Sequence, residues 1–419
     1  MLSDLNAADH AALDHVATRQ DAMLERVLGW ARINTGSWNA DGLRRLAPDI
    51  ADALRETGAA VETVDAPPIE KINAKGETDA FHTGPVLRAV QRPDAPIQIV
   101  LTGHYDTVFP PKTFTDITEI GNGKLNGPGL ADMKGGITVM IEALKTFESV
   151  GEAHGQKDRL GYTVILTPDE ETGNFASDSF LREAAAQAHV GLTFEPAMED
   201  GALAGARKGS GIWDIVFRGR SAHAGREPEK GRSAVWAACE MALKVEALMG
   251  VRDGVVFNVG SVDGGAAVNI VPDNAVLRVG SRAPDPDAAE WAEAQIMAAL
   301  EQTLQRDGIT AHVHGGFYRP PKPRNAAQDR LIGEVRETAK GIGLDLVFKD
   351  TGGVCEGNNV FAAGTPNIDT LGVRGGRIHS AEEFMVVDSL SERAGLTTLI
   401  LNRLADGRMD GPAIKRLMS

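Results

Sequence analysis

His104 and Asp106 stand two residues apart at the end of an apolar run, Ile97-Gln-Ile-Val-Leu-Thr-Gly103. Imidazole is a common ligand for divalent metal ions, and a nearby carboxylate can fix its tautomer or orient its ring. More acids occupy similar places. Asp132 lies between glycine pairs in Gly127-Pro-Gly-Leu-Ala-Asp-Met-Lys-Gly-Gly136. Asp169-Glu170-Glu171 follow an apolar run over 162–167, Glu195 follows another over 190–194, and a late imidazole, His379, sits in Gly375-Gly-Arg-Ile-His-Ser. Each segment alone also reads as a solvated turn. Their repetition after apolar runs is poorly explained by coincidence, because a buried cluster of like charges is costly unless a cation compensates it. One histidine, several carboxylates and a late histidine form a nitrogen and oxygen donor set suited to zinc, with cobalt or manganese as alternatives. A carboxylate shared by two ions about 3.5–4 Å apart is the usual centre of a two-metal hydrolase, which lowers the pKa of bound water and polarises a carbonyl. An unligated carboxylate close by can take the water's proton.

These residues need a scaffold that brings strand ends together. The run 97–104 is rich in β-branched residues and reads as a buried strand. In an open α/β sheet, ligands bind at the rim where such strands end. Ahead of it, apolar positions at helical spacing run from about 11 to 33. A second helix carries Leu43, Leu46, Ile50 and Leu54 on one face and stops at Gly58. Short strands are expected at 60–64 and 86–90, with His82 in the loop between them. After Gly136 a helix follows with Ile137, Met140, Ile141, Leu144 and Phe147 on one face.

The pattern changes at Gly209. Strand 212–219, helix 232–249, strands 255–260 and 275–282, helix 285–305 and strand 309–315 give the order βαββαβ, a split-βαβ sandwich. His312 and His314 alternate on the last strand and read as one solvent face. After Pro320-Pro-Lys-Pro323 the chain returns to α/β, with a helix over 329–341 and a strand over 367–371. Between them lies the loop Thr351-Gly352-Gly353-Val-Cys-Glu-Gly357, whose backbone N–H groups can face an anion. A helix over 389–404 closes the chain. The expected class is α/β: one mixed-sheet domain in two segments, 1–208 and 320–419, interrupted by a small domain at 209–319.

The bulk numbers agree. A chain of 419 residues exceeds one compact core. With 42% hydrophobic and 24% charged residues it is ordinary globular material, not disordered. A net charge of −15 argues against nucleic acid or an acidic membrane as partner. Two cysteines, Cys239 and Cys355, are too few for a disulfide framework. No apolar run approaches the roughly 18 residues of a membrane span, and the first ten residues show no signal-peptide pattern, so a cytoplasmic protein is expected. There is no GxSxG elbow and no Cys-His signature for a covalent nucleophile.

Taken together, His104-x-Asp106-Thr-Val, Gly-Pro-Gly-Leu-Ala-Asp132-x-Lys-Gly-Gly, Asp-Glu170-Glu171-x-Gly, Glu195-Pro, Ser-x-His223-Ala-Gly and Gly-Gly-x-x-His379-Ser resemble the dizinc metallopeptidase family of glutamate carboxypeptidases, aminoacylases and deacetylases. The resemblance implies a zinc-exopeptidase catalytic domain with an inserted ferredoxin-like lid that also forms a homodimer. It implies two divalent ions bridged by Asp132, with His104 and Glu195 on one and Glu171 and His379 on the other. It implies Glu170 as general base, Asp106 as the residue orienting His104, and a cis Asp132–Met133 peptide. On the substrate side it implies His223 and Asn269 from the lid, Arg319 and Arg282 for a substrate carboxylate, and the Gly352-Gly353 loop. The implied reaction is hydrolysis of an amide beside a free carboxylate, in a small peptide or N-acyl amino acid. The spacing from Asn269 through Arg282 to Arg319 favours the glutamate-carboxypeptidase-like branch. An N-acyl-amino-acid deacylase is the near alternative, and a catalytically silent binding protein on the same fold is the distant one. Two positions depart from the pattern. The loop reads Gly-Gly-Val-Cys355-Glu356, where relatives carry Gly-Gly-Gly-Ser/Thr-Asp, and Met133 replaces a second aspartate. Both are expected to reshape the substrate pocket.

Overall fold

A computed structural model of the chain describes residues 5–155, 157–265 and 267–418. Its larger sheet has six strands in the spatial order Ala60–Asp65, Pro85–Gln91, Leu160–Thr167, Ile97–His104, Val190–Thr193 and Asn367–Ile368. The last four run parallel and the first two antiparallel, so the sheet is mixed as expected. Parallel strands are covered on both faces, which is why they read as unbroken apolar runs. Register puts His104 beside Thr167, and Thr102 beside Thr193. The four parallel strands therefore end on one rim, and the polar tips that follow converge there.

The Gly136–His154 helix is buried nearly all round, between this sheet and the Ser389–Asp406 helix. It stops at Gly155, which takes the left-handed conformation a helix terminus favours (φ +69). At its start, a Cβ on Gly136 would lie 2.0 Å from the Phe194 carbonyl oxygen. Only glycine lets this helix approach the strand that leads to Glu195. The N-terminal region forms two helices, Ala7–Ala17 and Gln20–Ala31. The break falls at Thr18, whose hydroxyl donates to the His15 carbonyl at 2.7 Å and ends the first helix.

The second sheet orders its strands Val256–Gly264, Asn274–Ala283, Gly209–Arg218 and Thr310–Arg319, all antiparallel. Two helices, Ala234–Glu246 and Pro286–Thr303, pack on it around a separate core that includes Trp213, Phe217, Met241, Leu277 and Ile296. The chain order is the βαββαβ read from the sequence. His312 and His314 are both exposed on the last strand and belong to no ligand cluster among the described residues. Among those residues no helix is long and apolar enough to cross a membrane.

The chain enters and leaves this second sheet side by side. Arg207 and Lys322 exchange backbone hydrogen bonds of 2.9 and 3.0 Å. Their side chains turn inward to the buried Asp369, with Arg207 Nε and Nη2 donating at 2.8 and 3.0 Å and Lys322 Nζ at 2.7 Å. Burial opposes the charge on Asp369, but the two cations beside it hold its carboxyl below the usual range. Asp369→Asn leaves two buried cations unpaired and is expected to cost about 3–5 kcal/mol in urea unfolding at neutral pH. Because the folded pKa is depressed, the stabilisation is full above the ordinary carboxylate value near 4 and falls away as pH drops through the folded value. The gap between variant and wild type should narrow in acid. A loss below about 1 kcal/mol at pH 7 would show that the triad does not fasten the crossover.

Candidate metal centre

The rim gathers the predicted cluster. His104 ends its strand fully buried, with Nε2 3.1 Å from Asp132 Oδ1, 3.6 Å from Glu195 Oε1 and 4.0 Å from Glu170 Oε2. The other Asp132 oxygen, Oδ2, is 3.3 Å from His379 Nε2, which also lies 3.0 Å from Glu171 Oε2. One carboxylate thus turns one oxygen to each imidazole. The Asp132–Met133 peptide is cis. Two donor sets, His104 with Glu170 and Glu195, and His104 with Asp132 and Glu171, keep their ligand atoms within 4.8 Å of one another.

Asp106 works as a hub behind this cluster. His104 Nδ1 is 3.1 Å from its carbonyl oxygen and 3.3 Å from Oδ1. The same carboxylate accepts the Glu170 and Glu171 backbone N–H groups at 3.1 and 3.2 Å and the Ser37 hydroxyl at 2.7 Å. It therefore fixes the turn carrying both glutamates as well as the imidazole. Glu383 does the same for Asp132: its Oε1 accepts the N–H groups of Ala131 and Asp132 at 3.0 and 3.1 Å. Neither Ser37 nor Glu383 was picked out from the sequence as a site residue. The signal for Glu383 was its place four residues after His379.

Burial and like charge shape the protonation of the cluster. Burial pushes Glu171 up to about 8, helped by the charge on Asp132, and pushes Glu195 up to about 7. Burial also works against Asp132, but hydrogen bonds from His104 and His379 hold it well below the usual range. Contacts with Asp132 and Glu171 raise His379 to about 11. For His104, burial disfavours the charge, and the surrounding carboxylates overcome it and raise its pKa. Divalent cations held among these carboxylates would balance their negative charge. Glu195 Oε1 is buried without a hydrogen-bond partner among the described residues, as an oxygen reserved for a cation would be. The donor set fits two divalent ions.

A cavity of about 540 Å³ opens over the cluster. Its lining joins Asp132, Glu170, Glu171, Glu195 and His379 to Arg207, Arg282, Arg319, Gly353 and Cys355. Arg319 is buried: Nη1 lies 2.7 Å from Glu170 Oε1, and Nη2 donates to the Glu170 carbonyl and to Asn174 Oδ1 at 2.7 and 2.8 Å. It is thus engaged by Glu170, whereas the sequence pointed it at a substrate carboxylate. Arg282 is half-buried with no acidic partner among the described residues. Gly353 donates its N–H to Thr351 Oγ1 at 3.1 Å, and Gly352 lies outside the lining. His223 and Asn269 lie outside this cavity too. They sit together at a separate two-stranded ribbon, Ala222–His223 paired with Ile270–Val271, where Ala224 N–H donates to the Asn269 carbonyl at 2.9 Å and His223 is exposed. Met133 does not reshape the cavity. It is fully buried, it fills the space beside Gly103, and its sulfur accepts the His104 N–H at 3.3 Å. Cys355 lines the cavity, but burial pushes its thiol well above the usual range, and its sulfur accepts the Gly357 N–H.

The profile of peptidase family M20/M25/M40 matches residues 100–403. This chain is a member of peptidase family M20. It is 24% identical over 413 residues to carboxypeptidase G2 of Pseudomonas sp. (strain RS-16), covering 96% of this chain and 93% of that one. It is 25% identical over 335 residues to a succinyl-diaminopimelate desuccinylase of Nitrosococcus oceani, covering 75% and 86%. Its fold is that of the aminopeptidase PepT from Bacillus cereus ATCC 10987, with a TM-score of 0.68 at 23% identity over 92% of this chain and 99% of that one. The metallo-carboxypeptidase Sso-CP2 from Sulfolobus solfataricus superposes with a TM-score of 0.67 at 14% identity, covering 92% and 99%. Membership makes this M20 chain a metal-dependent hydrolase, and the matched span 100–403 contains the carboxylate cluster.

Proposed function

We propose that the enzyme cleaves an amide bond beside a free carboxylate, in a small peptide or an N-acyl amino acid. The observation that carries this reading is that one cavity is lined both by the carboxylate cluster and by Arg282, which has no acidic partner among the described residues. Asp132 would bridge two ions, zinc by its donor set, with His104 and Glu195 on one and Glu171 and His379 on the other. Such ions supply Lewis acidity toward the scissile carbonyl and make water a nucleophile at neutral pH. Glu170 takes the proton of the attacking water and passes it to the departing nitrogen. Arg319 and the Asp106 carboxylate hold Glu170 by its side chain, carbonyl and N–H, so its Oε2 faces the His104 side. Arg282 takes the substrate carboxylate. A silent binding protein would have no need of a positioned base.

Residues 209–319 are proposed as the lid, and two copies as the working enzyme. Trp236 and Leu243, seven residues apart on one helix, are 68% and 72% exposed, an apolar face of the kind a partner covers. The two free thiols suit a reducing cytoplasm.

Metal analysis of the purified protein should find about two zinc ions per chain. A panel of dipeptides and N-acyl amino acids should show turnover that disappears when the terminal carboxylate is amidated. Full zinc loading with no hydrolysis across the panel would sink the proposal. The split between dipeptides and acyl amino acids decides between carboxypeptidase and deacylase. Cys355→Ser is expected to retain metal and activity, since burial keeps the thiol from ionising to a nucleophile. Complete loss with both ions bound would overturn the two-metal mechanism in favour of a sulfur nucleophile.

A further inference from the structure

A second cavity, of about 220 Å³, lies beside the first between Ser37, Trp38, Thr107, Pro110 and Pro111. Glu171 and Thr172 line both, so the two form one groove with the cluster at the ridge between them. Its walls are fastened to the metal side of the molecule. Ser37 N–H donates to the Thr107 carbonyl at 3.0 Å, Thr107 N–H to the Thr35 carbonyl at 2.9 Å, and Asn34 Nδ2 to the Phe109 carbonyl at 3.0 Å. A Cβ on Gly36 would lie 2.4 Å from the Phe109 oxygen, so only glycine permits this approach. The Ser37 hydroxyl donates to Asp106, the carboxylate that also holds the Glu170–Glu171 turn. Trp38, placed by this loop, is 50% exposed, with its ring packed edgewise on Phe81 at 5.4 Å and the Lys71 ammonium 3.7 Å from its centroid.

The two cavities differ in charge. Arg207, Arg282 and Arg319 line the larger one. No cationic side chain lines the smaller one, where Glu171 is the one titratable side chain; the Lys71 ammonium lies on the Trp38 ring without lining the cavity. An amide with a carboxylate on its nitrogen side sends that half to the arginines. The other half must leave the scissile carbonyl across Glu171 and Thr172.

We propose that the Trp38 cavity is the subsite for the acyl half of the substrate, and that it takes an uncharged, apolar or aryl group stacked on the indole. This rests on the amide-hydrolase reading above and specifies its substrate. Hydrolysis adds water across the amide and releases an amine and an acid, so the acid product carries the group that fills the cavity.

The test is therefore equilibrium binding of product acids. Acetate, benzoate and succinate are titrated by calorimetry into the zinc-loaded full chain, as wild type, Trp38→Ala, Trp38→Phe and Lys71→Met. Wild type should bind benzoate about tenfold more tightly than acetate, from burial of one ring. Trp38→Ala should bring the two acids level, and Trp38→Phe should keep most of the difference. Trp38 is half exposed, so zinc content and melting temperature should not move. Equal affinity for acetate and benzoate in wild type, or a preference that survives in Trp38→Ala, overturns the assignment. So does succinate binding more tightly than benzoate and losing that advantage in Lys71→Met, which would give the cavity to an acidic acyl group. If the amide panel shows no turnover while the benzoate preference holds, the hydrolase reading falls and the subsite stands.

Discussion

Glu170→Gln is expected to keep both metal ions and to lose turnover by about 10²–10⁴-fold, the usual contribution of a positioned base. The amide can still accept from Arg319 Nη1, now 2.7 Å from Oε1, and the backbone bonds to Asp106 and Arg319 do not involve the side chain. What disappears is the proton acceptor on the His104 side. Glu171→Gln should behave in the opposite way. Glu171 contacts His379 at 3.0 Å within the cluster, so the loss of its charge should appear first as metal lost on dialysis, with activity restored in part by excess zinc. Metal stoichiometry and kcat measured on the same samples separate the two outcomes. Normal turnover in Glu170→Gln would rule it out as the base. Loss of metal in that variant would make it a ligand instead, which its place in a donor set with His104 and Glu195 makes a sharp question.

His223→Ala should be nearly inactive alone and should recover activity when mixed with Glu170→Gln. His223 is exposed on a two-stranded ribbon of the 209–319 segment and does not line the cavity of its own chain, so a catalytic role for it requires a second copy. In a two-fold dimer with shared sites, equal mixing makes half of the dimers mixed. Each mixed dimer has one site with Glu170 intact from one chain and His223 intact from the other, which gives about a quarter of wild-type activity. The measurement is activity at matched zinc loading after subunit exchange has been verified by native mass spectrometry. Activity that stays at the sum of the two parents would place His223 outside the partner's site, and the lid would then act in some other way.

The ligand cluster was legible because parallel strands announce themselves. Fully covered strands are apolar throughout, so a sudden His104, Glu170 or Glu195 marks where the sheet stops and the rim begins. The second sheet was legible for a related reason, its period switching regularly between two and 3.6. Residues that act across long separations were not legible. Ser37 is 69 positions from Asp106, and Glu383 is 251 from Asp132, so no local pattern links either pair. The strand expected over 367–371 is only Asn367–Ile368, because Asp369 turns to Arg207 and Lys322 and Thr370 takes a left-handed conformation (φ +65) that no strand accommodates. Met133 was expected to reshape the pocket because it departs from the family's aspartate; its side chain instead packs in the core against Gly103.

The side-by-side entry and exit of the second sheet has a consequence for how the protein is made. The central sheet receives its last strand at residues 367–368, and the cluster receives its second imidazole at 379, after the whole inserted sheet. During synthesis the 184 positions from Glu195 to His379 take about 9–37 s to emerge. Through that interval His104 is the one imidazole beside Asp132, Glu170, Glu171 and Glu195, and Arg319, which pairs with Glu170, arrives before His379 does. The insert, whose strands pair only with one another, can complete its own sheet in the meantime and bring Arg207 and Lys322 together. The gap that the late strand must close is then a short hop instead of a loop of more than a hundred residues, and the cluster is completed only after the insert has been made.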